Sequence, residues 1–328
     1  MATVSASQSP ITSVSPTMTV PTIGVQPQLL SRLHLELRGR RFSVDRETIM
    51  NLPESVLLCL FPNGLVLSRQ SAAFTDGGEH EEDEEIYAVD FDPDCLNFVL
   101  SFFRNSQDTF YGTGTHPGLY AAQQHLNDTV PASDFAPSAQ NPLLSRQAII
   151  VLREELEYFA IPTGDKSAGT DPSGLPNARL LAIKRACGQK LLEKRSIFTA
   201  LQRNVNKENN VAEQHLIDML CMSGFDREDT WGYRALEPSR CCISSIALVL
   251  LKTGIVHPAE PAPGQERGQV TVDYVQMSTA QKLLLFWRKP ARKCWWDGVD
   301  VDIAGPGEQP HIVKLWARRV WTLELSLI

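Results

Sequence analysis

The chain has 328 residues, 43% of them hydrophobic and 21% charged, an ordinary globular composition with room for two domains. Its net charge of −7 is local, because Asp76, Glu79, Glu81, Glu82, Asp83, Glu84 and Glu85 crowd one stretch and the remaining acids equal the 31 Lys and Arg. That balance excludes a basic nucleic-acid footprint spread over the whole chain.

Residues 1–30 are Ser, Thr, Pro and Val without an apolar period, a composition that predicts a disordered tail. Ser9-Pro10 and Ser15-Pro16 within it fit proline-directed kinases, or are simply features of a low-complexity tail. Leu33, Leu35 and Leu37 then alternate with His34, Glu36 and Arg38, predicting a half-buried strand. Gly39-Arg40 allows a tight turn, and Phe42 and Val44 point inward on a second strand. Asp45 is placed to cap a short helix. Pro53 opens another, with Val56, Leu57, Leu60 and Phe61 on its buried side. Leu65-Val66-Leu67 and Ile86-Tyr87-Ala88-Val89 read as strands on either side of the acidic run. That run reads as a solvated loop rather than a docking site for a basic partner. Asp92 as N-cap and Pro93 behind it start a helix whose Cys95, Phe98, Val99, Phe102 and Phe103 share a face.

This order resembles a BTB/POZ domain of the potassium-channel-tetramerisation type. Leu52, Pro53, Ser55, Leu57 and Leu58 match the family's "L-P-x-S-x-L" helix. Asp90, Asp92, Pro93, Leu96, Leu100 and Arg104 follow its next helix with substitutions. Residues 105–144 depart from it, being rich in Asn, Gly, Pro, Ser and Thr, and read as an insertion. Ile149, Leu152, Leu156 and Phe159 form one helical stripe, and residues 152–161 resemble the family's closing "E-E-L-x-F-F-G-I". The resemblance therefore implies a BTB/POZ domain over 32–162 with insertions at 68–85 and 105–144. It implies a protein-interaction module able to self-associate, with no catalytic apparatus.

Residues 163–176 read as a linker and 177–328 as a C-terminal α+β domain, so the whole chain is assigned to the α+β class. Asn177 caps a helix carrying Leu180, Ile183, Cys187 and Leu191, which re-forms through Ile197, Phe198 and Leu201. Its basic face, Arg179, Lys184, Arg185, Lys190, Lys194 and Arg195, reads as solvated, with a phosphate or acidic-partner contact as the alternative. Asn210 and Glu213 make a capping-box-like start to a helix that carries His215 and ends at Gly224. The loop from Phe225 to Glu237 holds Asp226, Asp229, Trp231, Tyr233, Arg234 and Glu237. It is either a binding hot spot or a roof over the core in which Arg234 pairs with an acid. Ile243 to Leu251 reads as a buried apolar helix, and 254–268 as a second linker. Val270, Val272 and Tyr274, then Val299, Val301 and Ile303, then alternate positions from Val313 to Leu327 predict a small antiparallel sheet. Arg288, Lys289, Arg292 and Lys293 beside Trp295 and Trp296 read as core tryptophans with cations facing water, rather than as a contact with anionic lipid or nucleic acid.

The stretch from Asn209 to Leu220, with Ser223-Gly224-Phe225, Trp231-Gly232 and Glu237-Pro238, resembles the C-terminal half of the fungal Whi-type general stress-response proteins. Those proteins also carry a BTB-like domain in front. The resemblance implies a non-enzymatic activator that partners a plasma-membrane haloacid-dehalogenase-type phosphatase, supports the general stress response and restrains nutrient (TOR) signalling. The residues expected to contact a partner are Asn210, Glu213, His215, Asp226, Trp231, Tyr233, Arg234 and Glu237. The other common BTB role, substrate adaptor of a cullin-type ubiquitin ligase, is the alternative, and an unrecognised enzyme is the third class.

Catalytic signatures are missing. No P-loop, Rossmann fingerprint, nucleophile elbow or HExxH occurs. Asp90-Phe91-Asp92 and Asp300-Val301-Asp302 have the spacing of a phosphoaspartate motif but lack its downstream Lys and Asp partners. His215 alone on an apolar helix reads as a core or partner contact. The seven cysteines show no CxxC spacing and read as reduced, so no metal or cofactor is expected. No run reaches the ~18 apolar residues of a membrane span. The N-terminus carries no charge before Arg32, which fits neither a signal nor a transit peptide. The expected location is the cytoplasm, with the plasma-membrane periphery reached through the partner.

Overall fold

The computed structural model describes residues 28–65, 68–69, 86–126, 141–161, 167–208, 210–258, 268–303 and 311–328. Ser9, Ser15, the strand expected across Val66 and Leu67, the acidic run 76–85, and parts of the expected insertions and linkers lie outside them.

The alternation at 33–37 is strand β1 (Arg32–Leu37), with Leu33, Leu35 and Leu37 all buried. It pairs antiparallel with β2 (Arg40–Asp45). The turn falls at Arg38-Gly39, one residue earlier than the sequence suggests. Both turn residues have positive φ, 46° and 84°, the pattern that matches the twist of a two-residue hairpin. Strand β3 (Ile86–Val89) joins β1 in parallel, giving the order β2-β1-β3. Helices α1 (Arg46–Met50), α2 (Glu54–Leu60) and α3 (Pro93–Tyr111) pack on this sheet through Ile49, Val56, Leu60, Leu96, Val99 and Phe103. Asp92 caps α3 as expected, accepting from the backbone N–H of Asp94 at 2.9 Å and of Cys95 at 3.1 Å. The helix then runs past residue 104 because Ser106 and Phe110 continue its buried side. With α4 (Leu119–Gln123) and a 3-10 turn at Pro142–Leu144, much of the expected structureless insertion at 105–144 is ordered.

Behind this unit lies a five-stranded antiparallel sheet, not a small three-stranded one. Its strands are β4 (Ala148–Ala160), β5 (Tyr233–Leu236), β6 (Cys242–Leu250), β7 (Ala291–Ile303) and β8 (His311–Leu327), in the order β7-β8-β4-β6-β5. Two of them correct helices expected at 149–161 and 243–251. The first seven residues of β4 are all buried, and a strand covered on both faces has no period-two signal to distinguish it from a buried helix. The stripe of Ile149, Leu152, Leu156 and Phe159 is thus a coincidence of spacing. The segment assigned to close the front module is the central strand of the rear sheet. Tyr274 begins a helix, α8 (Tyr274–Trp287), capped by Asp273. The expected strand before it shrinks to Thr271–Val272, paired with Ile255–Val256.

The two faces of the sheet differ. Helices α5 (Ala178–Leu192), α6 (Thr199–Glu208), α7 (Val211–Ser223) and α8 cover one face, burying Ile150, Leu152, Trp231, Trp321 and Leu325 in one cluster and Leu156, Tyr158 and Val313 in another. Asn177, Asn210 and Gly224 start and stop α5 and α7 where the sequence places them. The front unit sits on the other face, its core continuous with Ile149, Val151, Ile246 and Ile328. Two buried charges clamp it there. Glu324 of β8 accepts from the backbone N–H of Glu54 at 2.6 Å and of Ser55 at 3.0 Å. Arg153 of β4 donates to the Ser55 carbonyl at 2.6 Å. No helix among the described residues is long and apolar enough to cross a membrane.

Truncating Glu324 to Ala would strand the first two N–H groups of α2 in a dry interface, and urea denaturation should show a loss of about 1–3 kcal/mol. Trp231→Ala, which empties a site only 2% exposed, should cost about 3–5 kcal/mol in the same measurement.

Candidate interaction surface

The eight residues expected to face a partner do not form one surface. Asn210 is a helix cap whose side chain accepts from Glu213 N–H. Glu213 is buried and ion-paired with Lys293. Trp231 is core, so the roofing reading holds for it. Its neighbour Gly232 leaves room for Phe98 of α3, whose ring tip fills the place where a Cβ would stand. Arg234 pairs with Glu154 at 2.8 Å, both side chains 2% exposed, and Glu154 also holds Arg319. Burial pulls the Arg234 guanidinium below its ordinary value, and Glu154 opposes that pull. Only His215 and Asp226 are exposed.

Tyr233 and Glu237 instead face the front unit across a cleft of about 310 Å³ that also includes Arg38, Asp92, Arg153 and Cys95. Arg38, presented by the left-handed turn, reaches Asp90 at 2.8 Å, Asp92 at 3.5 Å and Glu237. Burial lowers the Arg38 guanidinium, but Asp90 and Glu237 together outweigh it and hold it above its usual range. Glu237 also accepts from Ser244 Oγ at 2.7 Å. Burial, and then the hydrogen bond to Asp92, push the Tyr233 phenol up. The Cys95 thiol is pushed up to about 12, chiefly by burial, which keeps it protonated and a poor nucleophile. The cleft is a neutralised seam that fixes the front unit on the sheet. Among the described residues no cluster of three His, Cys, Asp or Glu is placed to hold a metal ion.

An exposed aromatic cluster lies elsewhere, on the same sheet face but beyond the front unit. Odd-numbered residues of β4 walk from Ile149 and Val151 in the shared core, through Arg153, Glu155 and Glu157, to Phe159. Phe159 lies opposite Trp316 of β8, and Trp316 lies opposite Gly298 of β7. Gly298 puts only backbone under that ring. Trp296, two residues earlier on the same face, stacks on Trp316 with centroids 6.2 Å apart, and stands 6.0 Å from Phe159. The three rings are 50%, 49% and 50% exposed for Phe159, Trp316 and Trp296. Ile161 and Ile312 extend the patch, and the Glu157–Arg318 ion pair at 3.0 Å borders it. Covering the exposed halves would remove about 300 Å² of apolar surface, worth up to about 7 kcal/mol before the costs of association. That is comparable to the largest apolar patch of a typical monomer, which is often functional.

This surface corrects the expectation that both tryptophans are core. Trp295 is partly buried against the helices, but Trp296 faces water. The signal was present in the alternation. Trp316 falls among Lys314 and Arg318 on the polar side of β8, and Trp296 among Arg292 and Asp300 on the polar side of β7. Phe159 had no such signal, because its strand was not recognisable as one.

No protein-family model matches the chain. A WHI2-like protein of Schizosaccharomyces pombe is 33% identical over 89% of this chain and 86% of its own length. A protein of Saccharomyces cerevisiae named a growth regulation protein is 26% identical over 91% of both. An uncharacterized protein of Schizosaccharomyces pombe is 20% identical over 90% of this chain and 87% of its own length. By the identity and coverage of the first of these, the chain belongs to the WHI2-like protein family.

Proposed function

We propose that this chain is a non-catalytic scaffold in growth and stress regulation. In this reading it is a cofactor of a plasma-membrane haloacid-dehalogenase-type phosphatase, acts in the general stress response and restrains nutrient (TOR) signalling. The front unit serves as a BTB/POZ-like module, ending near α4 rather than at residue 162. The chain works in the cytoplasm and reaches the membrane periphery through its partner. Family membership and the growth-regulation name of one relative support the regulatory part.

The observation that carries the scaffold part is the aromatic ladder of Phe159, Trp296 and Trp316. Rigid rings held on paired strands lose little conformational freedom on docking, and aromatic anchors dominate interface energies. A phosphatase docking here would cover the ladder and leave the buried charge pairs undisturbed. The front sheet with its flanking helices keeps the second reading, a cullin-type ubiquitin ligase adaptor, in play.

Affinity purification from stressed cells separates these readings. The scaffold reading expects a phosphatase of that class without cullin, whereas cullin in stoichiometric amount would favour the adaptor. The triple variant Phe159→Ala, Trp296→Ala, Trp316→Ala should lose the phosphatase. Because the rings are half-exposed, its urea stability should fall by less than about 3 kcal/mol. Retention of the phosphatase by the folded variant would remove the ladder from the interface.

A further inference from the structure

On the helix-covered face, away from the ladder, a cavity of about 60 Å³ opens between α5, α6 and the sheet. Four cations border it, Lys194, Arg203, Arg234 and Arg319, against two carboxylates, Glu154 and Asp297. Both carboxylates are committed. Glu154 holds Arg234 and Arg319, and Asp297 holds Arg203. Lys194 has no carboxylate partner among the described residues, so the cavity carries two positive charges in excess.

Two further features sharpen this. The Nε–H groups of Arg234 and Arg319 are buried without an acceptor, although Arg234 is 2% exposed. Buried donors are nearly always satisfied, so this guanidinium cluster beside the cavity is incompletely compensated by the protein itself. The first residues of α6, Thr199 and Ala200, also border the cavity, and the positive end of a ten-residue helix adds to the field there. Burial lowers the Lys194 ammonium, and the neighbouring Arg319 and Arg203 lower it further. The same burial and Arg319 lower Arg203. Uncompensated cations in a partly dry site are costly.

We propose that this cavity is a binding site for one tetrahedral oxyanion of the phosphate class, with Lys194 at its mouth and Arg203, Arg234 and Arg319 along its wall. Its volume of about 60 Å³ is several times the roughly 10–15 Å³ that one water needs. It takes the oxyanion itself, free or as the terminal phosphoryl group of a larger molecule, and has no room for a nucleoside inside. A dianion cancels the excess charge. Its oxygens accept from the cations that line the cavity, in the charge-assisted geometry that arginine favours.

The test is calorimetric titration of inorganic phosphate into the full chain, with sodium chloride titrated at matched ionic strength. Saturable binding of one phosphate per chain, unmatched by chloride, is expected. Lys194→Gln should weaken it by about tenfold, the cost of one charge-assisted contact, and Lys194→Arg should restore most of the loss. Lys194 is partly open to solvent at the cavity mouth, so circular dichroism should report both variants folded. Phenyl phosphate binding tighter than inorganic phosphate would assign the site to a terminal phosphoryl group, and weaker binding would assign it to the free ion. A response equal to that of chloride, or unchanged affinity in folded Lys194→Gln, would overturn the proposal.

Discussion

Strand β4 is the constraint on which the rest of this structure depends. It is paired along both edges, with β8 and with β6, and covered on both faces over its first half. Ile149 and Val151 go to the front unit, Ile150 and Leu152 to the helices. Side chains on a strand alternate strictly between faces, so a one-residue slip would exchange these two sets and also reverse every charge in its middle. The front unit and the helical layer are therefore positioned by one register.

That middle is costly and specific. Arg153, Glu154 and Glu155 would be prohibitive in a dry sheet unless paired. Arg153 points to the front unit and is satisfied by the Ser55 carbonyl and Cys59. Glu154 points the other way and is satisfied by Arg234 and Arg319. Each charge finds its partner in only one register and with only one face up. The buried pairs thus select a docking geometry for both layers, whatever they add to stability. The same two-sidedness separates the two candidate sites, the aromatic ladder on one face and the cationic cavity on the other.

The division of the sheet face in front decides which of its residues stay open to solvent. The front unit covers the end near Ile149, the charged seam of Arg38, Asp92 and Glu237 closes its border, and the far end carries Phe159, Trp296 and Trp316 in the open. The residues first expected to touch a partner, from Asn210 to Glu237, mostly serve this internal arrangement. They cap α7, fill the core under the helices, or seal the seam.

Local signals in the sequence were enough for the β1–β2 hairpin, for the caps at Asp92, Asn177 and Asn210, and for the stop at Gly224. Each rests on one residue acting within four positions along the chain, where backbone sterics and a single side-chain hydrogen bond decide the outcome. The pairing of Arg234 with some acid was also legible. That the acid is Glu154, 80 residues away, was not. Tertiary structure alone decided the doubly covered strands β4 and β6 and the shared core between front and rear. In those places apolar residues face protein on every side, so burial erases the periodicity that tells strand from helix. The exposure of Phe159, Trp296 and Trp316 was likewise settled by how far the front unit extends over the sheet, a distance that no local pattern encodes.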